Sequence, residues 1–188
     1  EILIGLVGSE MCIRDRVKKT PLSEFKNLRK SGLIAINLRE GDELLKVKVT
    51  RGDADIIIVS QEGNAIKFNE QDVRPMGRTA SGVKSMNLRE NDIAVCMDIA
   101  VDEEDLLVIS ENGFGKRTPL TEYKRQNRGG VGLITYKISE KTGKVVGATV
   151  CKPEDELMLI NTSGIAIRIN VSDLSLIHIS EPTRPISI

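Results

Sequence analysis

Few residues of this chain have the types and spacing that covalent chemistry needs. Its imidazole and thiols amount to His178, Cys12, Cys96 and Cys151. Odd in number and far apart, the cysteines fit neither a disulfide framework nor a CxxC metal pair, which indicates a reducing compartment. His178 lies in a terminal segment that reads as non-native, so histidine relays, His-ligated zinc and His acid/base catalysis are excluded. Asp102, Glu103, Glu104 and Asp105 would hold Mg²⁺ only by converging on one ion; four consecutive acids on a hairpin do not, and a solvated turn is expected. Tyr123 aligns with Phe25 in an internal repeat, which marks an apolar position and not a nucleophile. No catalytic residue and no metal site is expected.

The remaining chemistry is charge. Lys+Arg and Asp+Glu each number 27 in the 188 residues, so only position is informative. Segments 17–38, 66–88 and 115–138 hold 5, 4 and 6 basic residues against 1, 2 and 1 acidic; segments 39–65, 89–114 and 139–164 hold 4, 1 and 3 against 6, 8 and 4. The candidate contacts are Lys18, Lys19, Lys26, Arg29, Lys30, Arg74, Arg78, Lys84, Lys116, Arg117, Lys124, Arg125, Arg128 and Arg168, expected on one outer band. Such a band suits a polyanion whose phosphates recur along a curved path. Phe25, Phe68, Phe114, Tyr123 and Tyr136 are too few for a single-strand stacking platform, which favours a duplex backbone. No recognition helix is present, so sequence readout is expected to be weak. Two other readings stand beside this one: a solvated face copied by a repeat, and a propeller that is purely a protein-interaction scaffold.

The elements that carry these charges recur. IIIVSQEGNAIKF (56–68) lines up with LLVISENGFGKRT (106–118) and LMLINTSGIAIRI (157–169), and KKTPLSEF (18–25) reappears as KRTPLTEY (116–123). Gly63, Gly113 and Gly164, and separately Gly32, Gly82 and Gly132, stand about fifty residues apart. Each unit contains short Val/Ile-rich runs such as LIAINL, LLKVKV, DIIIVS and NAIKF, bounded by Gly, Asn or Asp, and these read as strands. Four strands per unit predict an all-β, propeller-like fold of four-stranded blades, incomplete at about three blades plus the start of a fourth. A single β-sandwich leaves the glycine spacing unexplained. No apolar run approaches the roughly 20 residues that cross a bilayer, and no signal peptide is visible, so a cytoplasmic protein without membrane contact is expected.

Both ends are unlike the repeat. LVGSEMCIRDR (6–16) and LSLIHISEPTR (174–184) can be encoded by one DNA element read on opposite strands, which resembles translated read-through of a transposase-type sequencing adapter. Residues 1–16 and 174–188 are therefore read as non-native and expected to pack poorly, with the β-prone Leu174–Ile179 borrowing strand conformation at an open edge. Residues 17–173 are read as the partial domain. Cys96 and Cys151, in apolar strand runs, are expected in the core.

KKTPLSEFKNLRKSGLIAINL (18–38), IKFNEQDVRPMGRTASGVKSMNL (66–88), GFGKRTPLTEYKRQNRGGVG (113–132) and IRINVSDLS (167–175) together resemble the C-terminal DNA-wrapping domain of the bacterial DNA gyrase A protein. The resemblance implies a β-pinwheel with strands exchanged between neighbouring blades and duplex DNA bent round a basic edge. It implies as partners double-stranded DNA, the rest of the gyrase A protein and the gyrase B protein of a heterotetramer. Cofactors are expected to be none in this segment, with ATP and Mg²⁺ used only elsewhere in the holoenzyme. The family's box, QRRGGKG or close to it, has a degenerate likeness here in Gln126, Arg128, Gly129, Gly130 and Gly132, where the glycines permit either a phosphate approach or simply a tight turn. The equivalent domain of the topoisomerase IV A protein is the alternative within the resemblance.

Overall fold

Short β-branched runs, buried on both faces in the middle of the molecule, build its sheets. The computed structural model describes residues 2–8, 15–27, 30–38, 42–160, 162, 164–174 and 184–185. Through the described residues run β1 (Ile2–Gly8), β2 (Arg16–Thr20), β3 (Asp42–Val49), β4 (Asp55–Ser60), β5 (Asn64–Asn69), β6 (Val83–Lys84) and β7 (Ala94–Ala100). They continue with β8 (Asp105–Ser110), β9 (Phe114–Pro119), β10 (Leu133–Ile134), β11 (Val145–Cys151), β12 (Glu156–Ile160), β13 (Ala166–Asn170) and β14 (Arg184–Pro185). A 3-10 turn follows the inner hairpin of each repeat, at Leu22–Phe25, Glu70–Asp72, Leu120–Glu122 and Val171–Asp173. Pro21, Asn69, Pro119 and Asn170 open these turns, and Asn69 Oδ1 accepts from the Gln71 amide at 2.9 Å.

The strands assemble as β3-β1-β2-β6, β7-β4-β5-β10, β11-β8-β9-β14 and the pair β12-β13, all antiparallel. Three blades and the start of a fourth are thus present. The last strand of a blade arrives from beyond the next one: β6 follows β5 of blade 2 but pairs with β2 of blade 1, and β10 pairs with β5. This exchange corrects one expectation. Leu33–Leu38 is not a strand, because Leu33 and Ile34 correspond to β6 and β10, and no preceding blade among the described residues offers them an edge.

The terminal segments also depart from expectation. β1 does not sit at an open edge but lies between β2 and β3, the interior place that β4 and β8 hold in later blades. Arg184 and Pro185 pair with Gly115 and Phe114 in the exchanged place of blade 3. Unpaired ladder amides and carbonyls accept extended chain of any origin, which accounts for both placements. Beyond Leu174, the stretch expected at an edge lies outside the described residues.

The core lies between blades. Alternation along β4 sends Ile56 and Ile58 into a cluster with Val17, Phe68, Val73 and Met86, and sends Ile57 and Val59 into one with Leu106, Val108, Tyr123 and Tyr136. Burial on both faces explains why DIIIVS reads as a continuous apolar run. Neighbouring sheets meet through β3 against β7 and β7 against β11, so this edge faces the axis of the partial wheel and the exchanged strands lie at its rim.

Candidate nucleic-acid interface

The chain leaves β2, β5 and β9 through a 3-10 turn and a polar loop, which after β5 and β9 docks on the preceding blade, and these loops carry most of the rim charge. Lys26, Arg74 and Lys124 follow the turn in three successive repeats and are all exposed. Among the described residues neither they nor Lys30 forms an ion pair. Lys84 on β6 is exposed, 2.6 Å from Asn87 Oδ1 and 3.8 Å from Asp15. Arg78 is half-buried, while exposed Arg168 is tied across β12-β13 to Glu156 at 3.0 Å. Arg29 lies outside the described residues.

Four candidates leave the outer band. Lys18, Lys19, Lys116 and Arg117 are buried at 0, 5, 3 and 9% exposure. They stand on interior strands, where alternation turns side chains into the spaces between blades. Lys18 Nζ donates to the Ala35 carbonyl at 2.8 Å and to the Arg78 carbonyl, and burial, reinforced by the Arg78 charge, lowers its pKa. Lys67, at the strand position of Lys19 and Arg117, donates to Asp102 at 2.6 Å and to the Leu120 carbonyl at 3.3 Å. Arg117 lies 3.4 Å from Asp105 and donates to the Val171 carbonyl. Leu120 and Val171 each begin the 3-10 turn of the following repeat, so this position links one blade to the next. A buried linking cation and a rim cation look the same in a charge count, which is why sequence alone does not separate them.

The box-like turn is accounted for by packing. The Gly129 amide donates to the Ser85 carbonyl and the Gly130 carbonyl accepts from the Asn87 amide, both at 2.8 Å. Gly129 and Gly132 hold φ of 82° and 78°, and a Cβ on Gly132 would overlap the Ala65 carbonyl oxygen. The Gln126 amide donates to the Lys67 carbonyl at 2.8 Å, and Arg128 donates to the carbonyls of Asp72 and Lys84. The turn therefore fastens the rim loop of blade 3 to blade 2.

The groups with the chemistry for catalysis are engaged structurally. The carboxylates of Asp102, Glu104 and Asp105 go to three different cations, Lys67, Lys152 and Arg117. Tyr123 is buried with its hydroxyl on that of Thr135, and burial pushes its pKa up to about 12. Cys96 and Cys151 are buried free thiols, pushed up by desolvation to about 12 and about 11. Sequence reasoning passed over Glu70, fully buried, whose carboxylate accepts from the Gly52 amide at 3.0 Å, the Ala54 amide at 2.7 Å and the Thr50 hydroxyl at 2.6 Å. Its signal was a charged residue where other repeats carry Leu120 or Val171.

Blades closed by exchanged strands, with cations recurring on the rim loops, define a gyrase-type propeller. The chain matches the family described as DNA gyrase C-terminal domain, beta-propeller, over residues 14–51, 54–95, 104–152 and 155–178, and it belongs to that family. The DNA gyrase A protein of Clostridium acetobutylicum is 68% identical over 166 residues, 88% of this chain and 20% of that protein. Its counterpart in Staphylococcus aureus (strain MRSA252) is 45% identical over 164 residues, 86% of this chain and 18% of that protein. The chain spans about a fifth of the length of these relatives. Among solved structures, the C-terminal domain of DNA topoisomerase IV superposes with a TM-score of 0.85 at 28% identity, over 94% of this chain and 54% of that one. The DNA gyrase A C-terminal domain superposes at 0.83 and 27%, over 98% and 60%. Among the described residues, no helix is long and apolar enough to cross a membrane.

Proposed function

We propose that the rim of this domain binds duplex DNA and bends it, as the wrapping portion of a DNA gyrase A protein. One observation carries the reading: Lys26, Arg74 and Lys124 recur exposed at the same place in successive repeats, among the described residues without a carboxylate partner. Each offers a charge to a phosphate, and blades arranged about an axis set those charges along an arc. Bending 20–30 base pairs by 40–90° costs on the order of 1–6 kcal/mol, which contacts distributed along the arc must offset. Three blades supply only part of that arc. Binding is therefore weak, tolerant of sequence and steeply dependent on salt, with cleavage, ATP and Mg²⁺ belonging to the remainder of the gyrase A protein and to the gyrase B protein in the cytoplasm.

The related role in topoisomerase IV is supported by the 0.85 superposition, but the relatives at 45–68% identity are gyrase proteins. The test is closure of nicked circular DNA by ligase with and without the chain, together with duplex binding over a salt series. Salt-dependent binding with a small linking-number shift is expected. Absence of duplex binding at low salt would overturn the reading in favour of a protein-interaction scaffold.

A further inference from the structure

Arg125 stands on the rim, yet its guanidinium is already occupied. Nε and an Nη donate to one oxygen of Asp55 at 3.2 and 2.9 Å, and the same Nη lies 2.9 Å from the other oxygen. Asp55 begins β4 of blade 2, whereas Arg125 belongs to the rim loop that follows β9 of blade 3. The Asp55 side chain is 14% exposed and that of Arg125 60%. Asn69 Nδ2 fixes the carboxylate by donating to it at 3.0 Å and to Asp53 at 3.2 Å. Asp53 and Asp72 line a polar cleft beside the loop. In the preceding repeat Pro75 stands where Arg125 stands, as the bridges Lys19 to Pro75 and Lys67 to Arg125 show, so no such pair forms there.

A carboxylate and a phosphate offer a guanidinium the same fork of oxygens. We propose that Asp55 is an intramolecular competitor of DNA phosphate for Arg125, so that DNA gains nothing from this cation until the carboxylate is displaced. The proposal rests on the rim being a duplex interface. Release leaves Asp55, largely shielded from water and next to Asp53, without its counter-charge, which holds the pair closed. Among the described residues the neighbouring cations Lys124 and Arg74 carry no such restraint.

The test uses the 188-residue chain, a fluorescent duplex of random sequence and anisotropy titrations between roughly 50 and 200 mM salt. Asp55→Asn keeps the shape and an acceptor for Asn69. It is expected to tighten binding about threefold to tenfold at low salt and to steepen the salt slope by about 0.9. Arg125→Gln alone is expected to stay within about twofold of the unsubstituted chain, and to abolish the gain in the Asp55→Asn background. The proposal is overturned if a normally melting Asp55→Asn protein binds no tighter. It is equally overturned if Arg125→Gln weakens binding as much as Lys124→Gln, an arm that decides even where Asp55→Asn fails to fold. Binding by the unsubstituted chain without the Asp55→Asn gain overturns this proposal alone; no binding by any variant overturns the rim reading with it.

Discussion

Lys67 and Asp102 meet at 2.6 Å, the lysine 5% exposed on β5 of blade 2 and the aspartate 67% exposed on the turn that enters blade 3. The pair is asymmetric in its consequences. Water screens the carboxylate, but the ammonium is enclosed and also serves the Leu120 carbonyl of the next repeat. Lys67→Ala should destabilise the domain by about 1–3 kcal/mol, because it removes the charged hydrogen bonds by which an enclosed ammonium links one blade to the next. Asp102→Asn should cost clearly less. Urea melts of the two variants decide; equal losses would show that the enclosure of the lysine is irrelevant.

The buried and exposed cations should separate in two assays. Lys26→Gln, Arg74→Gln and Lys124→Gln are each expected to leave the melting temperature unchanged while lowering duplex affinity and reducing the salt slope by about 0.9. Arg117→Gln should lower the melting temperature, with DNA binding of the folded fraction retained. A loss of slope from Arg117→Gln equal to that from Lys124→Gln would return it to the binding surface.

Gly129 and Gly132 share a left-handed backbone but differ in surroundings. Gly129→Ala meets open space and should cost about 1 kcal/mol, the ordinary left-handed penalty. Gly132→Ala adds a collision with the Ala65 carbonyl and should cost more than about 2 kcal/mol. Thermal melts showing comparable losses would refute the docking role of Gly132.

Asp98 on β7 receives Lys46 and Lys48 of β3 at 2.6 and 2.7 Å, joining blades 1 and 2. Burial pushes its carboxyl pKa upward, but the hydrogen bonds from Lys46 and Lys48, the Lys46 charge and the Ile99 amide prevail and leave it lowered. The folded value therefore lies below the unfolded one, near ~3.9, so the stabilisation is complete above that pH and is lost as pH falls through the folded value. Urea melts between roughly pH 6 and pH 2.5 should show a steeper acid decline for the unsubstituted chain than for Asp98→Asn. Parallel declines would exclude Asp98 as the source.

The blade count and the central strands were legible because DIIIVS, DLLVIS and ELMLI repeat at a fixed period with turn glycines between strands. Strand exchange was legible only through the family resemblance. A segment such as LIAINL becomes a strand when another blade supplies an edge, and local propensity does not encode the partner. The rim loops announced themselves by charge, yet Lys18, Lys19, Lys116 and Arg117 gave the same signal from between the blades. Burial depends on whether a cation follows the 3-10 turn or precedes it, and a count of charges does not place that turn.

Because β10 closes the sheet of blade 2 and is made after blade 3's β8 and β9, synthesis always runs ahead of closure. While the ribosome extends the chain, β5 remains an uncapped edge until Leu133 and Ile134 emerge, exposed for the whole time needed to translate the intervening repeat. Blades 1 and 2 are thus each finished by a strand made after the next blade's central hairpin, and the most recently made blade is the one most open to mispairing with another nascent chain.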